Sequence, residues 1–419
     1  NNGGTTDTGA ATWVNGATGL TSNSVNTISA TNSFVGSGTN NIVGSGGVVA
    51  LTNGYYVIVS PGWDGAGTNR GAATWGNGAT GSAGTVGTAN SLYGGADNDQ
   101  VGSGGVAALS NGHYVVASPL SDQGSGGSGH GAVTWATGTV ATGAQVTTAN
   151  SFVGSGAGAN LGAGGIVALT NGNYVVLTPN YDAGSGSNHG AVTWRNGSAV
   201  TTGTMSSANS LIGNSGDNVG SGGVFALTNG NYVVASPGYD VGAASRGAVT
   251  WGNGATGGPV GTISTATSII GGGDNDQIGS GGIIALTDGN YIINSPSWDG
   301  AGSDRGAVTW MSGTAASSGQ VTTANSLVGS TDNDQVGSGG VTALAGGNYV
   351  VASPLWNNGA TADVGAVTYG VGGATNATTV ATTNSIVGGA TNAQLTYADA
   401  TASGEILARS SASGAVFVG

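Results

Sequence analysis

Apolar residues in this chain come in short runs, each cut off by glycine, asparagine or proline. Between Val43 and Tyr93 the first run is Val43-Gly-Ser-Gly-Gly-Val-Val-Ala-Leu51. Asn53-Gly54 follows, then Tyr55-Tyr-Val-Ile-Val-Ser60, closed by Pro61. A polar loop leads to Arg70 and to Gly71-Ala-Ala-Thr-Trp75. A Gly-rich connection then precedes Thr85-Val-Gly-Thr-Ala-Asn-Ser-Leu-Tyr93. Short runs with β-branched and aromatic residues, bounded by turn formers, predict strands. We call these four strands A, B, C and D.

The order repeats. Copies of Gly-Ala-Val-Thr-Trp or close variants begin at Gly9, Gly71, Gly131, Gly190, Gly247, Gly306 and Gly365, with a weaker one at Gly414. A period of about sixty residues is too long for one rung of a β-helix and suits a four-stranded propeller blade. The fold expected is all-β, a seven-bladed β-propeller of four-stranded antiparallel blades. A-strands start near Val43, Val101, Leu161, Val219, Ile278 and Val336, giving six clear repeats from 43 to 394. A degenerate seventh runs from 395 to 419, with Glu405–Ser410 and Gly414–Val418 in place of strands B and C. Residues 9–35 read as strands C and D and would complete that blade, making 1–419 one domain. C-type strands then number one too many.

The A–B turns hold Asn53-Gly54, Asn111-Gly112, Asn171-Gly172, Asn229-Gly230, Asp288-Gly289 and Gly346-Gly347. These pairs tolerate positive φ at both positions, which predicts type I′ hairpins. Gly46 and Gly47 and their counterparts would let neighbouring A-strands approach closely. Pro61, Pro119, Pro179, Pro237, Pro296 and Pro354 end strand B, because proline cannot donate to a ladder. The strand-C residues Trp13, Trp75, Trp135, Trp194, Trp251, Trp310 and Tyr369 are expected to pack between blades.

Composition narrows the function. The chain has 87 Gly, no Cys and a formal charge of −13, and only 5% of its residues are charged. Its basic residues are all arginine: Arg70, Arg195, Arg246, Arg305 and Arg409. Without a basic stripe, nucleic acid is not an expected partner. Anionic membranes are disfavoured for the same reason, and no apolar run is long enough to insert as a helix. The absence of a starting Met reads as a mature or trimmed product. Gly/Thr/Ser/Asn richness without Lys points to a bacterial, extracellular or cell-surface setting.

The sequence Val-Gly-Ser-Gly-Gly-Val, a tight turn, Tyr-Val-Val-x-Ser-Pro, a loop and Gly-Ala-Val-Thr-Trp resembles the integrin-type FG-GAP repeat over nearly the whole chain. That resemblance implies a seven-bladed propeller. The Gly/Asn/Thr-rich wording is also similar to uncharacterised repeats of large bacterial surface proteins of the filamentous-haemagglutinin type. The FG-GAP calcium loop lies between strands A and B. Here a two-residue Asn-Gly holds that place, so the family's calcium site does not carry over.

Candidate chemistry lies in the B–C and D–A loops, which share the usual ligand face of a propeller. The B–C loop opens with an aromatic and an acid: Trp63-Asp64, Tyr181-Asp182, Tyr239-Asp240 and Trp298-Asp299, with Ser121-Asp122 and Trp356-Asn357 as variants. It ends in a cation at Arg70, His130, His189, Arg246 and Arg305. Asp and cation are lost together at Asn357 and Val364, which suggests an Asp–cation clip within the loop. The loop aromatics suit stacking on sugars if exposed, or they cap their own blades. In the D–A loops, Asp97-Asn-Asp99, Asp274-Asn-Asp276 and Asp332-Asn-Asp334 offer hard oxygen ligands for Ca²⁺, although Asx-turns explain the motif as well. Otherwise no cofactor is expected. The three histidines and the lone Glu405 form no catalytic spacing.

The expected function is therefore non-enzymatic. One reading is an adhesin that binds a glycan or cell-surface polymer. The alternative is a structural module of a large surface protein or filament, with copies of itself as partner. A polysaccharide-degrading enzyme comes third.

Overall fold

The computed structural model describes residues 6–25, 27–122, 129–182, 188–240, 244–400, 406–410 and 416–418. Glu405 and Gly414, named above, lie outside them. Among the described residues every regular element is a β-strand, apart from one 3₁₀ turn at Ala345–Gly347. The chain divides into two compact units, Asn1–Ser210 and Leu211–Gly419. The fold is all-β and repetitive, and no sheet among the described residues closes on itself. We name each repeat by its strand-C aromatic.

The Trp75 repeat shows the pattern within the first unit. Strand A (Val48–Ala50) pairs antiparallel with B (Tyr56–Ser60), B with C (Ala72–Gly76), and C with D (Ser91–Tyr93). A fifth strand, Ala144–Gln145, then joins D in parallel from the connection before the next strand D. The Trp135 repeat has the same five-stranded order, as do the Trp251 and Trp310 repeats in the second unit. The expected four-stranded blade is thus corrected to five strands, the last lent by the following repeat.

The reason is a turn hidden in what reads as one strand D. Thr85–Tyr93 breaks at Asn90, whose Oδ1 accepts from Gly87 N–H and whose Nδ2 donates to Thr85 O. This fold-back sends Gly84–Thr85 to the preceding repeat, against Phe34–Val35, and leaves Ser91–Tyr93 as D. Behind it, Thr74 Oγ1 and Ser91 Oγ share a buried hydrogen bond of 2.7 Å. The same Thr–Ser pair recurs at Thr134–Ser151, Thr193–Ser210, Thr250–Ser268, Thr309–Ser326 and Thr368–Ser385. A paired hydroxyl is a cheap way to bury polarity, whereas one left single would cost about 1–3 kcal/mol.

The A–B hairpins form, but in another geometry. Gly54 N–H donates to Leu51 O and Leu51 N–H to Tyr55 O, so the loop is the three residues Thr52-Asn53-Gly54. Only Gly54 takes positive φ, at 86°. This is a turn followed by a left-handed glycine and replaces the expected type I′ pair. Asn53 is free for another task, and its Nδ2 reaches Gly112 O and Gly138 O of the next repeat, both at 2.9 Å. The Gly346-Gly347 hairpin alone has both glycines at positive φ.

Strand A is also shorter than its sequence suggests. Gly44-Ser-Gly-Gly47 forms a turn, with φ of 83° at Gly44 and 88° at Gly47. Left-handed backbone is what requires Gly44 and Gly47, whereas a Cβ at Gly46 would come within 3.0 Å of Val59 and Pro61, so the close approach there is to strand B and not to a neighbouring A-strand. The Gly that opens strand C is fixed by sterics as well. A Cβ at Gly71 would overlap the backbone of Val101, with which Gly71 forms a parallel bridge.

The core lies between consecutive repeats. One cluster joins Leu51, Val57, Ala73 and Leu92 to Val101, Tyr114, Val116 and Val153, with Trp75 packed against it. Trp75 Nε1 donates to Gly138 O, as Trp13 does to Gly78 O, Trp135 to Gly197 O and Trp251 to Gly313 O. Trp75, Trp251 and Trp310 therefore pack between repeats, but the expectation fails at Tyr369, which is 46% exposed at the edge of its repeat. In the second unit the last strands, Leu395–Ala400, Ile406–Ser410 and Val416–Val418, form their own antiparallel sheet, so the C-terminal C-type strand fills the edge of its own B strand. In the first unit the N-terminal copy, Ala10–Thr12, pairs with Ser33–Val35.

Candidate functional site

Within each unit the structure brings D–A loops against B–C loops, but not in the pairing expected. Arg70 Nε lies 3.4 Å from Asp97 Oδ1, and Arg305 Nε 3.3 Å from Asp332 Oδ1. These acids belong to the D–A loop that follows. Asp64 and Asp299 accept instead from backbone N–H groups of their own loops, those of Asn69 (2.9 Å) and Asp304 (2.8 Å). Asp122, Asp182, Asp240 and Asn357 accept likewise from Gly129, Asn188, Ser245 and Asp363. The expected Asp–Arg clip is therefore corrected to an acceptor–backbone clip. It survives at Asn357 because an amide oxygen accepts as well as a carboxylate. A sequence signal for the true ion pair existed. Arg70, Arg246 and Arg305 are followed by Asp97, Asp274 and Asp332, whereas His130 is followed by Ala157 and Val364 by Thr391 at that place.

The two acids of each Asp-Asn-Asp motif take separate roles. Asp97 and Asp332 are exposed and face arginine. Asp99, Asp276 and Asp334 are buried. Asp99 accepts from Ala96 N–H at 2.9 Å within its own loop and from Asp122 N–H at 2.7 Å across to the B–C loop. Asp276 does the same with Gly273 and Asp299, and Asp334 with Thr331 and Asn357. Asp217 bonds Asn214 and Asp240 in this way, and burial pushes its carboxyl above the usual range. Bonds from backbone donors satisfy the oxygens of these buried carboxyl groups. Among the described residues no three His, Asp or Glu side chains are grouped to hold a metal ion. The calcium expectation for Asp97, Asp99, Asp274, Asp276, Asp332 and Asp334 so gains no ligand set.

The loop aromatics are not exposed. Trp63, Tyr181, Tyr239, Trp298 and Trp356 retain only 3–5% of their surface. Trp63 shares a core cluster with Phe34 and Val86, Trp298 with Ile269 and Val321, and Trp356 with Val380. Tyr239 Oη donates to Ile263 O at 3.2 Å. Val86, Ile263, Val321 and Val380 directly follow the lent strands, so each ring helps cover the junction where one repeat enters the sheet of another. Beside Trp298 a cavity of about 370 Å³ opens, lined also by Asp276, Gly300, Val321, Thr322 and Thr323. Sequence reasoning missed the Asn90-type fold-back and the Asn53-type bridge, though both residues recur at fixed places in the repeat.

These features define a tandem all-β repeat protein whose recurring side chains tie loop to loop. The chain belongs to the family described as a repeat of unknown function (DUF5650), whose model matches seven times, at residues 1–45, 50–103, 108–163, 168–221, 226–280, 285–338 and 343–397. The likeness to FG-GAP and haemagglutinin-type repeats stays one of wording. A search of curated proteins finds no match to the chain. No helix among the described residues is long and apolar enough to cross a membrane.

Proposed function

We propose that the chain is a non-enzymatic structural module of a secreted or cell-surface protein, with its seven repeats as blades of the propeller type. One observation carries the reading. The aromatics, acids and asparagines that recur in the loops are spent on bonds and packing inside the protein. A lectin of this plan would present the rings Trp63 and Trp298 to solvent.

A glycan-binding reading keeps one support, the cavity lined by Trp298, Asp276, Thr322 and Thr323. A glycan array and a panel of polysaccharide substrates test both readings. The structural reading expects no saturable binding and no turnover. Binding that is lost in Thr322→Ala and Thr323→Ala variants of unchanged thermal midpoint would replace it with the lectin. Negative-stain images of ring-shaped particles support the blade reading, and rods would refute it.

A further inference from the structure

The stretch Trp-Gly-Asn-Gly-Ala-Thr-Gly occurs twice, at residues 75–81 and 251–257. Both copies leave strand C and make the same turn. Asn77 Oδ1 accepts from Ala79 N–H at 2.8 Å and from Thr80 N–H at 3.1 Å. Asn253 Oδ1 accepts from Ala255 N–H at 2.9 Å and from Thr256 N–H at 3.0 Å. An Asn-Gly pair is prone to close into a cyclic imide, because glycine has no Cβ to hinder its nitrogen. The local sequence is the same at both places, so a difference in reactivity between them comes from the fold.

The fold treats the two glycines differently. Gly254 N–H donates to Asn231 Oδ1 at 3.1 Å, from the A–B hairpin of its own repeat. The bond recurs elsewhere. Gly197 donates to Asn173, Gly313 to Asn290 and Gly372 to Asn348 at 2.9–3.0 Å, and Gly138 to His113 Nδ1 at 3.4 Å. In the Trp75 repeat Tyr55 stands at that place. Its ring packs on Trp75, with centroids 4.9 Å apart. Gly78 N–H has no hydrogen-bond acceptor among the described residues. Gly78 is also part-exposed, whereas Gly197 and Gly254 are buried. The Asn-Gly pairs of the A–B turns are held as well, since Gly54, Gly112, Gly172 and Gly230 each donate N–H to a leucine carbonyl at 3.1 Å.

We propose that Asn77 is a site of spontaneous deamidation, and that the hairpin side chain facing the turn protects Asn253 and Asn196 from the same reaction. Hydroxide takes the Gly78 N–H proton, and the nitrogen bonds to Asn77 Cγ. The Cγ–Nδ2 bond then breaks, and the amide leaves as ammonia with a proton from water. Water opens the resulting imide at either carbonyl, to aspartate or to isoaspartate. At Asn253 the attacking N–H must first give up its bond to Asn231. Isoaspartate adds a methylene to the backbone of the turn that places Gly78 O, the acceptor for Trp13 Nε1 at 2.9 Å. Conversion of Asn77 therefore shifts an acceptor that joins two repeats and adds a negative charge beside it. The inference stands apart from the structural reading above, and the outcome of a glycan array leaves it unchanged.

The test is to age the folded chain in mildly alkaline buffer, digest it with pepsin at acid pH, and follow both peptides by mass spectrometry. The residues after the shared stretch, Ser82 and Gly258, tell the peptides apart. Asn77 should convert at least ~fivefold faster than Asn253, the rate cost of first breaking one ordinary hydrogen bond. In urea the two should convert at equal rates. Tyr55→Asn should bring Asn77 down to the rate of Asn253, and Asn231→Ala should raise Asn253 toward that of Asn77, with circular dichroism showing that each variant folds. Equal rates in the folded parent chain, or faster conversion at Asn253, would overturn the proposal, and that comparison needs no variant. A folded Tyr55→Asn chain in which Asn77 converts as fast as before would overturn it too.

Discussion

Replacing Trp298 by alanine asks whether the loop rings are part of the fold. The indole is 4% exposed and shares a cluster with Ile269, Val321 and Val328. Its backbone cannot sink into the space left behind. Trp298 N–H is bonded to Ser295 O, Gly306 N–H to Trp298 O, and Asp299 N–H to the buried Asp276. With collapse prevented, most of the cavity should persist, and a buried Trp→Ala change then costs about 3–5 kcal/mol. Trp251→Ala should fall in the same range, since that part-buried ring also loses the bond to Gly313 O. Urea unfolding followed by far-UV circular dichroism measures both without relying on the deleted fluorophore. Repeat proteins need not unfold as one unit, so hydrogen exchange at Val321 gives the local reading. A Trp298→Ala chain within about 1 kcal/mol of the parent, with Val321 exchange unchanged, would refute the capping role and return the ring to the candidate ligand site.

Four further outcomes are expected. A double-mutant cycle on Arg305→Val and Asp332→Asn should show coupling of about 0.2–1 kcal/mol, as the pair is part-exposed, whereas coupling of Arg305 to Asp299 instead would restore the clip within one loop. Asp276→Ala should cost about 1–3 kcal/mol by orphaning the N–H groups of Gly273 and Asp299, and Asp299→Asn should be nearly silent in the same thermal melts. Burial raises the phenol pKa of Tyr114, Tyr174, Tyr232 and Tyr291. The unfolded chain loses these protons first, so stability should hold below pH ~10 and fall above it by about 1.4 kcal/mol per pH unit for each tyrosine; a flat alkaline profile would contradict their burial. Asn229→Asp should weaken the bridge to Gly289 O and Gly313 O, since a carboxylate cannot donate, and faster exchange near Gly313 would report it.

Much of the fold was legible because the repeat samples one structure several times. The spacing of Gly-Ala-Val-Thr-Trp revealed the tandem repeats, strand B ended at its prolines, and strand-C tryptophans such as Trp75 and Trp251 read correctly as packing between repeats, whereas Tyr369 at the same place is 46% exposed. Local chemistry was less legible. Asn-Gly predicts a type I′ turn from propensity alone, yet the turn seen spares Asn53 for a bond to the next repeat. The loss of the cation at Val364 was informative, but the acid lost with it is at Thr391 and not at Asn357, which keeps its loop bond, and two candidates shared the same pattern.

What the sequence determines by itself is whatever depends on neighbours along the chain: strand runs, left-handed glycines, proline stops and the period. Only the tertiary structure decides which repeat a strand serves. Thr85 and Ser91 look like one strand because both suit extended backbone, and the turn at Asn90 assigns them to different sheets. Exposure of Trp63 and Trp298 is decided the same way, for an aromatic in a polar loop is buried or open according to what the following repeat lays against it.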